Sequence, residues 1–591
     1  MIDLEVARTF DRRSALFFTA GAILTSVLVM RMLQMQVFNY REYKKKSENN
    51  SFRIQLNIPE RGQILSASGA PISRDSPIYR IYIIPEESDA LESLVDTVAH
   101  DLHLSDKRIK KIWEKINKQP KFQPVLISQN TNWDTLARIQ AKNLPGLHVR
   151  SGFARNYELG PAGAQIFGYV GAPTQQNPSA PFFTTGITGL EKRFNDEMAG
   201  TPGQTVMITN AVGRITGEDK SQYVAPTSGT NVRTTINEHV QRTMYDALES
   251  HHAGCGVALD IETGDILAIA STPSFDPNVF NEDDGEEYMA SLRDDDAKPF
   301  MNKVFEGLYP PGSTFKIIVA LAALEAGAIN PRDKVFCPGY WDYGDHRYHC
   351  WEKHGHGHVD MAGALTHSCD IYFYQLALKI GIDAIKNMAL KLGFTQQFMG
   401  DLVPREMAGI IPDKAWKETN TGTRWVHGDT VISGIGQGFI LANCMQLAVM
   451  MARVASNKIV VPRLIWSDKR PTFANLGLQK KNLATIFRGL EGVTQPGGTA
   501  AGSAINVGGK KMAGKTGTSQ VRSISKAERQ RGVLTNEQLK WKLRNHGLFV
   551  GYAPTSNPKY AVCAITEHSG GSGPAARTVA AVMRELLGET K

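Results

Sequence analysis

Cysteine is scarce: six thiols in 591 residues, with no C-x-x-C pair among them. That excludes a small disulfide-stapled framework and a compact zinc knuckle. Internal repeats and low-complexity tracts are absent, which argues against a solenoid or an array. No Lys/Arg stripe interleaved with aromatics stands out. A net charge of +8 is thin over this length, so nucleic acid is not an expected partner. An attraction to anionic lipid or polymer stays open. The length itself excludes a single core and points to two to four domains.

Only one long apolar run occurs. "SALFFTAGAILTSVLVM", Ser14 to Met30, carries no charge, with Arg12 and Arg13 before it and Arg31 after it. Its apolar character continues through "MLQMQVF", enough for a bilayer span. An uncleaved membrane anchor over 14–37 is expected. The alternative, a cleavable signal peptide, is disfavoured by the long run and the lack of a small-x-small site after it. Basic residues flank both ends, so charge alone does not orient the span.

Beyond the anchor, the stretch to about 230 is rich in strand-like segments. "NIPERGQILSASGAPIS" reads as strand–turn–strand around Gly69, and "RIYIIPEE" alternates as a strand. "SDALESLVDTVAHDLHL" has helical spacing. From about Asn231 the texture changes. "GCGVALDIETGDILAIASTPSFDP" predicts two apolar strands joined by a hairpin. "FKIIVALAALEAGAI" and "ANCMQLAVMMARVAS" read as helices, and "HGLFVGYAP" and "KYAVCAITEHS" as strands, followed by a helix over "ARTVAAVMRELLG". Strands from both ends of this half, around a helical middle, predict one sheet covered by helices, an α+β architecture.

Three short stretches in this half carry chemistry. "PPGSTFKI" sets Ser313 and Lys316 three residues apart, on one helix face. A serine hydroxyl is a weak nucleophile until a base takes its proton, and an amine serves only when its surroundings lower its pKa. "SCD" offers Ser368 and Asp370. "GKTGTS" offers Lys515, Thr516, Gly517 and Thr518, with glycines that suit an edge strand lining a cleft. S-x-x-K, S-x-[ND] and K-T-G in this order form a specific combination, associated with penicillin-binding proteins and class A β-lactamases.

On these residues the chain resembles the class B high-molecular-weight penicillin-binding proteins, and most the penicillin-binding protein 2 branch that acts in elongation. "IPERGQIL", "ITGLEKRFNDEMAGTPG", "GIGQG" and "LFVGYAP" resemble further family motifs. Asp370 stands where the wider family has Asn, which resembles the elongation branch. The resemblance implies a cytoplasmic tail over 1–13, a transmembrane anchor over 14–37, a mainly β, elongated pedestal over 38–230 and a transpeptidase domain over 231–591. The last would be an antiparallel sheet with helices on both faces. It implies a D,D-transpeptidase that cross-links peptidoglycan stem peptides and is acylated by β-lactams. Ser313 would be the nucleophile and Lys316 its base. Ser368 would relay a proton with electrostatic support from Lys515, and Thr516, Gly517 and Thr518 would line the substrate site. Backbone N–H groups of Ser313 and Thr518 would form the oxyanion hole. Asp370, an acceptor only when ionised, is expected to pair with the lysine amines or a substrate N–H. Implied partners are a RodA-type SEDS glycosyltransferase and a rod-shape scaffold protein. The implied location is the inner membrane, N-terminus inside and bulk periplasmic. A D,D-carboxypeptidase or β-lactamase shares the chemistry, but pedestal and anchor argue against both. A β-lactam sensor or silent scaffold fits poorly with one span and a full set of catalytic residue types.

Three cysteines, Cys337, Cys350 and Cys369, fall in one window with six of the fifteen histidines. A Cys337–Cys350 disulfide is one reading in an oxidising compartment. The other is structural zinc on Cys337, Cys350, His356 and Cys369. His346, His349, His354 and His358 are rival donors by spacing. The penicillin-binding protein 2 resemblance supports His356 and Cys369, since some members carry a metal site that uses the middle residue of S-x-D. Cys255, Cys444 and Cys563 lie in apolar stretches and are expected in the core.

Overall fold

A computed structural model describes residues 4–41, 52–172, 183–209, 215–282, 285–522, 528 and 531–588. The chain divides into two compact units. The first comprises 1–60, 172–183 and 200–228; the second comprises 61–171, 184–199 and 229–591.

In the first unit, a helix over Leu4–Leu33 runs into a π-helical turn, Gln34–Phe38. Among the described residues its Ser14–Phe38 portion is the one helix long and apolar enough to cross a membrane. At 1.5 Å per residue it spans roughly 37 Å, more than the ~30 Å hydrocarbon layer. Its large apolar side chains, such as Phe17, Phe18 and Leu24, are exposed, as a lipid-facing helix requires. The same unit holds a three-stranded antiparallel sheet of Phe52–Asn57, Gly203–Thr209 and Ile215–Val224.

The second unit begins with a small sheet built around Pro71–Ile83, which pairs antiparallel with Leu147–Tyr157 along its length. The strand–turn–strand unit predicted around Gly69 is there, as Ile64–Leu65 against Pro71–Ile83. So is a helix within "SDALESLVDTVAHDLHL", over Leu91–Asp101. Two further helices, Asp106–Lys118 and Trp133–Gln140, lie outside the stretches with predicted helical spacing. They cover a core of Ile81, Ile83, Val95, Val98, Ile112 and Ile127.

The motif stretches "ERGQIL" and "GLEK" lie 130 residues apart and meet in a buried ion cluster. Arg61 Nε donates to Glu191 Oε2 at 2.7 Å, and Arg155 Nε donates to Glu191 Oε1 at 2.8 Å. Ser73 Oγ adds a hydrogen bond at 3.1 Å, and Arg155 also reaches Asp75 at 3.1 Å. Glu191 is fully buried, so these partners are what make its charge tolerable there.

The rest of the second unit is organised by five antiparallel strands: β1 (Gly254–Asp260), β2 (Ile266–Thr272), β3 (Ala513–Ser519), β4 (His546–Ala553) and β5 (Tyr560–Thr566). Their order is β2-β1-β5-β4-β3, which leaves β3 at an edge. Alternation along β1 splits its neighbours between two faces. Gly254 and Gly256 face α1 (Glu238–Glu249), where an added Cβ would meet Leu248 at 3.2 Å and Met244 at 3.0 Å. Cys255, between them, faces Cys444 of the long buried helix Cys444–Ser456. Helices therefore cover both faces, as predicted. Cys255, Cys444 and Cys563 are all fully buried in this core.

Candidate active site

Ser313 lies on a single 3-10 turn, Gly312–Phe315, which leads straight into α2 (Lys316–Glu325). The S-x-x-K spacing predicts an α-helical face. The tighter turn places residues i and i+3 one above the other, so the pair is aligned more closely than in an α-helix. Ser313 is half-buried, while Lys316 is completely buried.

Lys316 Nζ donates to three acceptors: Ser368 O at 2.8 Å, Ser368 Oγ at 3.3 Å and Asp370 Oδ1 at 2.7 Å. An ammonium has three N–H groups, so this set uses all of them. The acceptors come from a tight link between the helix Met361–Thr366 and α3 (Asp370–Lys391). Ser368 sits there with φ +56°, a left-handed conformation that costs a serine about 1–2 kcal/mol. Cys369 N donates to Ala364 O at 2.9 Å and fixes the reversal. Ser368 and Asp370 reach Lys316, while the Cys369 side chain between them turns to the neighbouring thiols.

Trp351, which no motif marks, braces this link. Its backbone N–H donates to Asp370 Oδ2 at 3.0 Å. Its indole N–H donates to His367 O and Ser368 O, both at 3.1 Å. Burial pushes the Asp370 carboxyl upward, and the Lys316 ammonium opposes that push.

The K-T-G stretch lies on edge strand β3. Lys515 is completely buried. Desolvation, with the Lys316 ammonium nearby, drives its pKa well below the ordinary lysine range, against the pull of Asp370. Thr516 and Thr518 share the other strand face. Thr518 is exposed, while Thr516 is buried with its Oγ1 2.7 Å from Thr499 Oγ1.

The Ser313 turn and this strand nearly touch. Gly312 has φ +53°, and a Cβ there would lie 2.5 Å from Thr518 O. An added Cβ on Gly517 would in turn lie 3.0 Å from Pro311 O, a tight but lesser crowding. "GIGQG" closes the third side. Gly312 N donates to Gly436 O at 2.9 Å, and Gln437 Nε2 donates to Thr518 O at 3.0 Å. The structure thus brings Ser313, Lys316, Ser368, Asp370 and Lys515 to one place, with Thr516, Gly517 and Thr518 along its edge.

The matches to family models fall on this architecture. The penicillin binding protein transpeptidase domain matches residues 254–587, and the penicillin-binding protein dimerisation domain matches 57–234. The chain belongs to the penicillin-binding protein transpeptidase family. Among curated members, the peptidoglycan D,D-transpeptidase MrdA of Haemophilus influenzae is 30% identical, over 96% of this chain and 91% of its own. The protein of that name from Escherichia coli K12 is 29% identical, over 98% and 94%. Among solved structures, PBP2 of Pseudomonas aeruginosa in complex with WCK 5153 is 28% identical, with TM-score 0.63, covering 90% of this chain and 96% of that one. The Helicobacter pylori complex of PBP2 with MreC shares the fold, with TM-score 0.74, 24% identity, and coverage of 91% and 99%.

In this penicillin-binding protein the cysteine-rich window forms a cluster just behind the S-C-D link. Donor atoms of Cys337, Cys350, His356 and Cys369 all lie within 4.8 Å of one another. His356 Nδ1 is 3.6 Å from Cys337 Sγ and 3.5 Å from Cys350 Sγ. All six cysteines are free thiols, so the Cys337–Cys350 disulfide is not formed. The rival histidines are not part of the cluster. The donor set fits zinc: a tetrahedron with Zn–S near 2.3 Å has edges of about 3.8 Å. The charge also fits. Hydrogen bonds from Cys369, His356 and the Asp370 N–H lower the Cys350 pKa against the opposing push of burial, which favours its thiolate.

Proposed function

We propose that the chain is a serine-type D,D-transpeptidase that cross-links peptidoglycan stem peptides during cell elongation and is acylated by β-lactams at Ser313. The observation that carries this reading is the buried Lys316 amine, one 3-10 turn from Ser313 and hydrogen-bonded to both Ser368 and Asp370. Ser313 Oγ attacks the penultimate D-alanine carbonyl as Lys316 takes its proton. N–H groups of Ser313 and Thr518 face the developing oxyanion, an interaction that contributes about 3 kcal/mol per donor in such sites. Ser368 passes the proton toward the leaving D-alanine. Thr516 and Thr518 hold the substrate's terminal carboxylate. That carboxylate favours a charge on Lys515, whose own ammonium is disfavoured in the free site. To act as base, Lys316 first gives one proton to Asp370, whose carboxyl burial pushes upward and which Nζ already holds at 2.7 Å. An amine from a second peptide then attacks the acyl-enzyme.

The site residues are proposed with domain limits of 1–13 for a cytoplasmic tail, 14–37 for the anchor, 38–230 for the pedestal and 231–591 for the transpeptidase. The bulk would lie in the periplasm, where the substrate is. A RodA-type polymerase and a rod-shape scaffold protein are proposed as partners on the family resemblance. Zinc is proposed on Cys337, Cys350, His356 and Cys369. With four protein ligands it would supply rigidity rather than an activated water, holding the loop that carries Ser368 and Asp370.

Fluorescent penicillin labelling of the detergent-solubilised chain tests the enzyme reading. A slowly decaying adduct on the wild type, absent from Ser313→Ala, is expected. Labelling that survives Ser313→Ala would sink the assignment. Rapid turnover of the adduct would favour a β-lactamase.

A further inference from the structure

The charge of this protein is less evenly spread than its total suggests. Residues 105–121, "SDKRIKKIWEKINKQPK", hold seven cations and two carboxylates, net +5 of the chain's +8. The stripe escapes a linear reading because its lysines are separated by apolar residues. In the structure that interleaving becomes two faces. The segment folds as the Asp106–Lys118 helix, capped by Ser105, whose side chain accepts from Arg108 N. At 100° per residue, Lys107, Lys110, Lys111, Lys115 and Lys118 fall within an arc of about 140°. Glu114 is the one carboxylate inside that arc. All five lysines are exposed, and Ile112 and Ile116 on the opposite side are buried. Lys107 pairs with Glu287 at 2.6 Å and is partly neutralised. Phe122, just beyond the stripe, is 62% exposed.

We infer that the lysine face of this helix is a docking surface for a carboxylate-bearing glycan–peptide polymer, the peptidoglycan strand itself. This rests on the transpeptidase reading for the identity of the polymer. Two features select it over an anionic membrane. A helix that binds lipid inserts its apolar face among the acyl chains. Here that face is already packed in a core with Val95, Val98, Val125 and Ile127, so only the charged side is on offer. The lysines also form a row about two turns long, from Lys110 to Lys118, roughly 12 Å at 1.5 Å per residue. Such a row matches a polymer with repeating carboxylates better than a single anion. Retention through this surface would raise the local concentration of stem peptides.

The test uses the full chain in detergent and soluble, uncross-linked peptidoglycan strands as the probe. Lys110→Gln, Lys111→Gln, Lys115→Gln and Lys118→Gln combined are expected to raise the half-saturating strand concentration about tenfold at low salt. The difference should shrink at high salt, where screening acts within a few ångströms. The four corresponding Lys→Arg changes should retain binding, and strands with amidated carboxylates should bind the wild type as poorly as intact strands bind the variant. Unchanged melting temperature and penicillin acylation show that the variant is folded. Strand binding within threefold of wild type in the Gln variant would overturn the proposal. So would lysine-dependent binding to phosphatidylglycerol vesicles in preference to strands. Failure of the wild type to be acylated by penicillin would instead overturn the transpeptidase reading, a result separate from strand retention.

Discussion

Replacing Gly312 by alanine separates positioning from stability at the Ser313 turn. Two penalties arise at this residue. The first is conformational: φ +53° costs an alanine about 1–2 kcal/mol. The second is steric: the new Cβ would sit 2.5 Å from Thr518 O, where ordinary contact starts at 3.4 Å. Either the 3-10 turn or edge strand β3 must retreat by about 1 Å. Ser313 moves with the first and the Thr518 N–H with the second. Misplacement on that scale costs about a hundredfold in rate, or roughly 2.7 kcal/mol of barrier. Gly327, just after α2, supplies the control. Its φ is +62°, yet nothing lies within 4 Å of an added Cβ. Gly327→Ala therefore carries the conformational penalty alone. The assay is the second-order rate of acylation by a fluorescent penicillin, read beside the melting temperature. Gly312→Ala should acylate about a hundredfold more slowly, while Gly327→Ala should melt earlier and acylate at the wild-type rate. Acylation by Gly312→Ala within threefold of wild type would refute the reasoning, and so would an equal slowing in Gly327→Ala.

Asp370→Ala leaves the fully buried Lys316 without its counter-charge, at a cost of about 3–5 kcal/mol; a clear drop in melting temperature with loss of acylation is expected, and an unchanged melt would show that the ion pair is dispensable. Elemental analysis should find about one zinc per chain in the wild type and almost none in a Cys350→Ser, His356→Ala double variant, with an earlier melt; metal-free wild type with full acylation would remove zinc from the account. Lys515 sets a pH dependence of stability. Its folded pKa lies below the unfolded value of about 10.4, so between the two the unfolded chain binds more protons and stability rises with pH. Relative to Lys515→Met, the wild type should gain stability as pH is raised toward that value; a parallel melting profile for the two proteins would contradict the burial argument.

Much of this was legible in the sequence because it depends on short-range pattern. Two apolar runs joined by a turn signal gave the hairpin of β1 and β2, and helical spacing gave α2 and the Cys444–Ser456 helix. The apolar run gave the one described helix long and apolar enough to cross a membrane. The order of "STFK", "SCD" and "KTG" marked the catalytic residue types, and the three-residue spacing already paired Ser313 with Lys316. Other features arise only when distant segments meet. Trp351 carries no sequence signal, because its role depends on backbone oxygens of His367 and Ser368 that folding brings beside its indole. The Asp106–Lys118 helix escapes a linear reading because its charges are diluted in one dimension and segregate only when wound at 3.6 residues per turn.

By itself, then, the sequence determined which residues are chemically equipped and which strongly patterned segments are helix or strand, since those follow from local spacing and side-chain chemistry. Only the tertiary structure decided what each group can do. Burial, together with the proximity of Lys316, lowers Lys515. Neither is a property of the "KTG" stretch alone. The left-handed turn at Ser368 sends adjacent side chains apart, two to an amine and one to a cluster of thiols. The donors chosen from that cluster, His356 rather than four neighbouring histidines, are set by which imidazole the fold holds within reach of three sulfurs.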